Sequence, residues 1–161
     1  MQSTSLADLP MSKVTELICG NSITPGAGAA GALTLALAAA CGGKAVSISL
    51  KHSDDARLYQ ALNRFQELCR CALREADDEA EAFGTWVRHH DADTTHDLIE
   101  CEERTARLVN ALLVTISEIE PFIRPNMAGD LIAAKALACA AKTIQVTNEA
   151  ETKSGRGRLG Q

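Results

Sequence analysis

Aromatic residues are scarce: three Phe, one Trp and one Tyr, 3% of the 161 residues. Proteins that stack nucleobases need several aromatic faces, so single-stranded nucleic acid is disfavoured. A basic surface is missing too. Lys and Arg number 16 against 21 Asp and Glu, a formal charge of -5, whereas phosphate backbones call for a positive face. No nucleic-acid partner is therefore expected. The six cysteines (19, 41, 69, 71, 101, 139) form no Cys-x-x-Cys pair and fall within helical patterns. Scattered cysteines of this kind behave as small hydrophobes in a reduced, cytoplasmic protein. The first residues, Met1-Gln-Ser-Thr-Ser-Leu-Ala-Asp8, lack both a basic region and an apolar run, so no secretory leader is expected. Convincing strand patterns are absent as well.

What is present is helical. A length of 161 residues suits one domain with a sizeable core. From Pro25-Gly-Ala-Gly-Ala-Ala-Gly-Ala-Leu33 to Leu50 the chain is almost wholly Ala, Gly, Leu, Ser, Thr, Val and Ile, with Lys44 its one charge. A helix apolar on all sides predicts burial on all sides, and small side chains let neighbours approach closely. The fold class expected is all-α: about five helices around this Ala/Gly-rich central helix. Two other readings are weaker. The stretch is long enough to span a bilayer, but it lacks an aromatic belt and a one-sided basic flank, so no membrane is expected. Gly26, Gly28 and Gly31 match Gly-x-Gly-x-x-Gly, but the preceding strand that a dinucleotide fold needs is absent.

In order, residues 1–11 read as a loose arm and 12–150 as the helical domain. Ser12 is placed to cap a short helix through Ile18. Ser53 or Asp54 caps a long amphipathic helix from about Asp55 to Val87, whose apolar stripe includes Leu58, Leu62, Phe65, Ala72, Ala76, Ala80 and Phe83. Its second half carries Glu75, Asp77, Asp78, Glu79 and Glu81. A polar connection, His89 to His96, leads to a fourth helix capped by Asp93 or Thr94. Those histidines have no matched second set of ligands, so no metal is expected. Pro121 and Pro125 bracket a turn, and Asn126 opens an Ala-rich helix to about Val146. Residues 151–161 are too poor in apolar side chains to pack and read as a disordered tail.

Four features occur in one order: Pro25-Gly-Ala-Gly entering an Ala/Gly helix, Asp78-Glu-Ala-Glu-Ala-Phe83 on a long helix, Pro125-Asn-Met-Ala-Gly-Asp130, and an Ala-rich helix reaching Asn148. Over roughly residues 12–150 the chain resembles the cyclodeaminase/cyclohydrolase family, relatives of the C-terminal domain of formiminotransferase-cyclodeaminase. That resemblance implies a helical homodimer whose substrate is a tetrahydrofolate derivative, with no further cofactor. The reaction implied is hydrolysis of 5,10-methenyltetrahydrofolate to the 10-formyl form, or deamination of 5-formiminotetrahydrofolate. The family's Pro-Gly-Gly-Gly-Ser turn falls on Pro25–Ala29, with Ala27 and Ala29 at the third and fifth positions. Its Asp-Ala-x-Ala-aromatic motif falls on Glu79–Phe83, with Glu for Asp. Its Asn-Pro-Asn-Ala-x-Ser-Asp turn falls on Arg124–Asp130, keeping Asn126 and Asp130.

The resemblance thus implies Glu79 as the catalytic carboxyl group, with its neighbour Asp78 as a substitute. A carboxylate can take a proton from the attacking water beside the methenyl cation, and a carboxylic acid can protonate a leaving nitrogen. Asp130, Asn126 and Asn148 are expected to read the pterin edge. Pro25, Gly26 and Gly28, at a helix N-terminus, are expected to hold a glutamate carboxylate, with a Lys or Arg not identifiable from sequence. Plainer roles compete: a solvated acidic face for Asp78 and Glu79, a packing turn for Pro25 to Gly28, and helix-end roles for Asn126, Asp130 and Asn148. The alternative function is a catalytically degenerate relative, a helical dimer that binds folate or a protein.

Overall fold

The computed structural model describes residues 4–159, with side chains through Ser154, and among these there is no strand. Five helices carry the fold: α1 (Met11–Cys19), α2 (Ala27–Leu50), α3 (Ala56–His89), α4 (Ala92–Ile119) and α5 (Ala128–Leu159). Their starts follow from local chemistry. Asp55 caps α3 by accepting from the Arg57 N–H, and Asp91 caps α4 in a capping box with Thr94. The caps expected at Ser53 or Asp54 and at Asp93 or Thr94 are therefore displaced by one to three residues. Most of the polar His89–His96 stretch is helical, and His90 alone adopts the left-handed conformation that ends α3. Likewise α1 begins directly after Pro10 rather than at a Ser12 cap.

The four long helices form a ring: α2 packs on α3 and α5, and α4 packs on the same two. Facing pairs set their directions. Gly42 meets Phe65, and Gly28 meets Glu79, so α2 and α3 are antiparallel. Glu75 bonds Arg104 across α3 and α4, and Thr152 bonds Glu102 across α5 and α4. The central core joins Leu35, Val46, Leu58, Phe65, Val109, Leu112 and Ile116 with Ala134, Ala138 and Ala141 of α5. Phe65 lies so close to α2 that a Cβ at Gly42 would come within 2.4 Å of its ring. Small residues do draw these backbones together.

Helix α2 is nevertheless a corner of the ring rather than a hub. The expectation of burial on all sides fails: Leu37 is 48% exposed, and Ala40, Lys44 and Ser47 lie on the outer side. A corner helix has only two flanks covered by its own chain. By length and composition α2 could cross a bilayer, but here it lies lengthwise against α3 and α5.

Residues 4–10 and 151–159 carry more structure than their composition suggests. Residues 4–10 are not a loose arm. Ser5 Oγ donates to Asp77 at 2.6 Å, the Leu6 N–H donates to the same carboxylate at 2.8 Å, and Leu6 is buried with Ala29, Ala32 and Ala76. At the other end, α5 continues through residues 151–159, where a disordered tail was expected. Thr152 is buried, and Lys153 pairs with Glu149 one turn back at 3.5 Å. Residues 1–3 and 160–161, assigned to the arm and the tail, lie outside the described residues.

Candidate active site

One layer of the ring mixes polar side chains with Gly28, Gly31, Ala141 and Ile144. Gly28 and Gly31 from α2, Glu79 from α3, Glu102 and Thr105 from α4, and Gln145 and Asn148 from α5 line a cavity of about 20 Å³. That is room for a single water molecule. Helix α2 starts at Gly26 without a side-chain cap. Glu79 reaches over from α3 instead, where the Ala29 N–H favours its charged form. Such a carboxyl group benefits from the free N–H groups of a helix start. Its approach depends on residue 28 lacking a side chain, because a Cβ there would lie 2.0 Å from Glu79 Oε1.

The second oxygen, Glu79 Oε2, is fully buried and has no hydrogen-bond partner among the described residues. Burial pushes this carboxyl up to about 7, against the opposing pull of the Ala29 N–H, and the neighbouring Glu102 carboxylate pushes it the same way. A carboxyl group poised there serves as acid or base at neutral pH. Glu102 is itself buried and accepts from Thr152 Oγ1 at 2.6 Å. Burial raises its pKa, the Thr152 hydroxyl lowers it, and Glu149 raises it again.

The other expected site residues are spread more widely. Adjacent helical residues point about 100° apart. Asp78 accordingly faces a different cavity, of about 360 Å³, with Glu81, Asp97, Glu100 and Arg104. It pairs with Arg104 at 3.6 Å and lies outside the cavity that Glu79 lines. Arg104 also holds the buried Glu75 at 2.8 Å. Asn148 does line the Glu79 cavity, and it lies within α5 rather than ending it. Asn126 and Asp130 do not. Arg124 donates its N–H to Ser49 near the far end of α2, and from Asp130 to Asn148 the helix climbs about 27 Å. Within one chain these two residues and Glu79 lie at opposite ends of the ring, so the expected single cleft is not formed. Asp130 stands in the first turn of α5, where an acid suits the helix dipole. Pro25 lines an open groove of about 830 Å³ with Leu9, Thr24, Asp77, Glu81 and Arg88. Arg88 is the one cationic side chain among the described residues that line it, beside the carboxylates of Asp77 and Glu81. His96 pairs with Glu100 at 3.2 Å.

The sequence profile of the formiminotransferase-cyclodeaminase family matches residues 10–148. The chain belongs to that family. The fold is also similar to the crystal structure of formiminotetrahydrofolate cyclodeaminase from Thermotoga maritima, with a TM-score of 0.86. That likeness covers 96% of this chain and 86% of the Thermotoga chain at 16% identity. No curated relative matches the sequence.

In this formiminotransferase-cyclodeaminase family member, Glu102, Thr105, Gln145 and Thr152 escaped the reading of the sequence. Gln145 and Glu149 are hydrogen-bonded to each other on α5. Glu102 lies in a run of acids (Glu100, Glu102, Glu103) that reads as a solvated face, and only its helical register turns it inward. Thr152 falls beyond the family match, in the stretch whose composition suggested disorder.

Proposed function

We propose that this chain is a cytoplasmic folate one-carbon enzyme. In this reading it hydrolyses 5,10-methenyltetrahydrofolate to 10-formyltetrahydrofolate, with deamination of the 5-formimino form as the sister reaction. The observation that carries the reading is Glu79 Oε2: a buried, unpartnered carboxyl oxygen on a residue that lines a cavity of water size. The methenyl substrate is a cation whose bridging carbon is attacked by water. The ionised Glu79 offsets that charge and accepts the water's proton as the C–O bond forms. Opening of the ring then breaks a C–N bond: the carboxylic acid returns the proton to the departing nitrogen, and the carbinol hydroxyl releases its own proton to solvent as the formyl C=O forms. Asn148 offers an amide to the pterin edge, and the folate's carboxylates are assigned to the Pro25 groove, where Arg88 supplies positive charge.

The exposed apolar residues Leu37 on α2 and Ile132 and Val146 on α5 support a homodimer built on those two adjacent helices. A second reading, a non-catalytic folate- or protein-binding dimer, is favoured by two observations. The cavity at Glu79 is narrow, and Asn126 and Asp130 stand far from it. The two readings separate in one assay. Loss of the methenyl absorbance is followed with purified protein and with Glu79→Gln. The enzyme reading expects acceleration over the spontaneous rate and a loss on the order of 100-fold or more in the variant. Equal rates with wild type, variant and buffer discard it. A rise in melting temperature with folate but without turnover selects the binding protein.

A further inference from the structure

Proton control at Glu79 depends on groups that the sequence pattern did not single out. Around this carboxyl, α2 contributes the Ala29 N–H and no charged side chain. On its own helix, Glu75 and Asp78 turn toward Arg104 of α4, which is occupied by both. Cys101 of α4 lies against Glu75, its thiol donating to Oε2 at 3.5 Å. From α5 come the neutral amides of Gln145 and Asn148, while Glu149 is engaged by Gln145 and by Lys153. Among the described residues, Glu102 alone brings a second carboxyl group into the Glu79 cavity. It is 8% exposed, and the Thr152 hydroxyl that fixes it is on a side chain 4% exposed.

We infer that Glu102, clamped by Thr152 from the last third of α5, is a positioning residue for Glu79. The two carboxyl groups face one water-sized cavity and share one proton. Two carboxylates in one dry site resist double ionisation, so the first negative charge settles on whichever is better hydrogen-bonded. Thr152 donates to Glu102 and so places that charge on α4. The proton is left on Glu79, which must release it before it acts as the base. Helix α5 beyond Asn148 thereby belongs to the machinery of the site.

This inference rests on the reading of Glu79 as the acid–base group, and its test is chosen to fail separately. Wild type, Thr152→Val, Thr152→Ser and Glu102→Gln are compared in two measurements. One is the pH profile of methenyl hydrolysis; the other is the titration of the Glu79 carboxyl by carbon-13 NMR, which needs no turnover. Loss of the hydroxyl in T152V moves the proton preference to Glu102, and E102Q removes the competing charge. Both are expected to lower the Glu79 midpoint by about one pH unit, with the rise in rate following it. T152S restores the donor and with it the wild-type midpoint. A Glu79 midpoint unmoved in both T152V and E102Q overturns the inference, whatever the activity. T152V is nearly isosteric, so it carries the test if E102Q does not fold. A wild type without turnover sinks the enzyme reading while the NMR titration still decides this one.

Discussion

Glu79 fills the space that a side chain at Gly28 would need: a Cβ there would lie 2.0 Å from Oε1 and 2.2 Å from Cδ. The carboxyl group is on a flexible arm, so Gly28→Ala can be accommodated by expelling it. Alanine also favours the helix by up to about 1 kcal/mol over glycine. G28A is therefore expected to keep its melting temperature within a few degrees while the Glu79 midpoint drops toward an ordinary glutamate and turnover collapses. A thermal scan with the carboxyl titration checks it. Unchanged titration in a folded G28A disproves the close approach.

The same substitution at Gly42 has the opposite signature. Its added Cβ meets Phe65 Cε1 at 2.4 Å and Cζ at 2.7 Å, and that ring is fully buried. A fully buried ring has less freedom to move than the Glu79 arm. Overpacking of this kind costs about 1–3 kcal/mol. G42A is expected to lower the unfolding free energy by that amount, read from urea unfolding, while leaving the Glu79 titration in place.

Stability should depend on pH through Glu79, with a definite sign. Its carboxyl titrates at 4.5 ordinarily and near 7 in the fold, so the folded chain holds a proton that the unfolded chain has released between those values. Stability from this group is complete below pH 4.5 and is lost as pH rises toward 7. At 1.36 kcal/mol per pH unit the loss is about 3 kcal/mol. Glu79→Gln is expected to flatten this decline, measured as unfolding free energy at pH 4.5, 5.5 and 7. Glu102, raised by burial, contributes in the same sense and remains in that variant.

Asp130 provides a control at the far end of α5. Asp130→Ala removes an acid from a first helical turn, worth about 0.3–1 kcal/mol. A small fall in melting temperature with no change in the Glu79 midpoint is expected. A moved midpoint means that the two residues communicate in the assembled protein.

Leu37→Glu and Ile132→Glu place charge on the exposed apolar residues of α2 and α5. Each is expected to convert a dimer to monomer in sedimentation velocity without unfolding it. Wild type sedimenting as a monomer refutes the proposed assembly.

The helical class was legible because apolar spacing repeats along each helix and is a local property of the chain. Leu58, Phe65, Ala72 and Ala76 mark the buried face of α3 in the sequence and are buried in the structure. The small-residue helix announced close packing for the same reason, and Gly28, Gly31 and Gly42 realise it. Glu79 was legible only through its motif, since its acidic neighbours Asp77, Asp78 and Glu81 look alike in composition. The tertiary fold chose among them: Asp77 holds the N-terminal segment, Asp78 faces Arg104, and Glu79 turns onto the start of α2. It also separated Asn126 and Asp130 from that point, left one side of α2 uncovered, and drew Thr152 inward to Glu102. Local periodicity decides which side of a helix is apolar. Which end of one helix meets which turn of another depends on how four antiparallel helices are set side by side, and no single stretch of sequence carries that information.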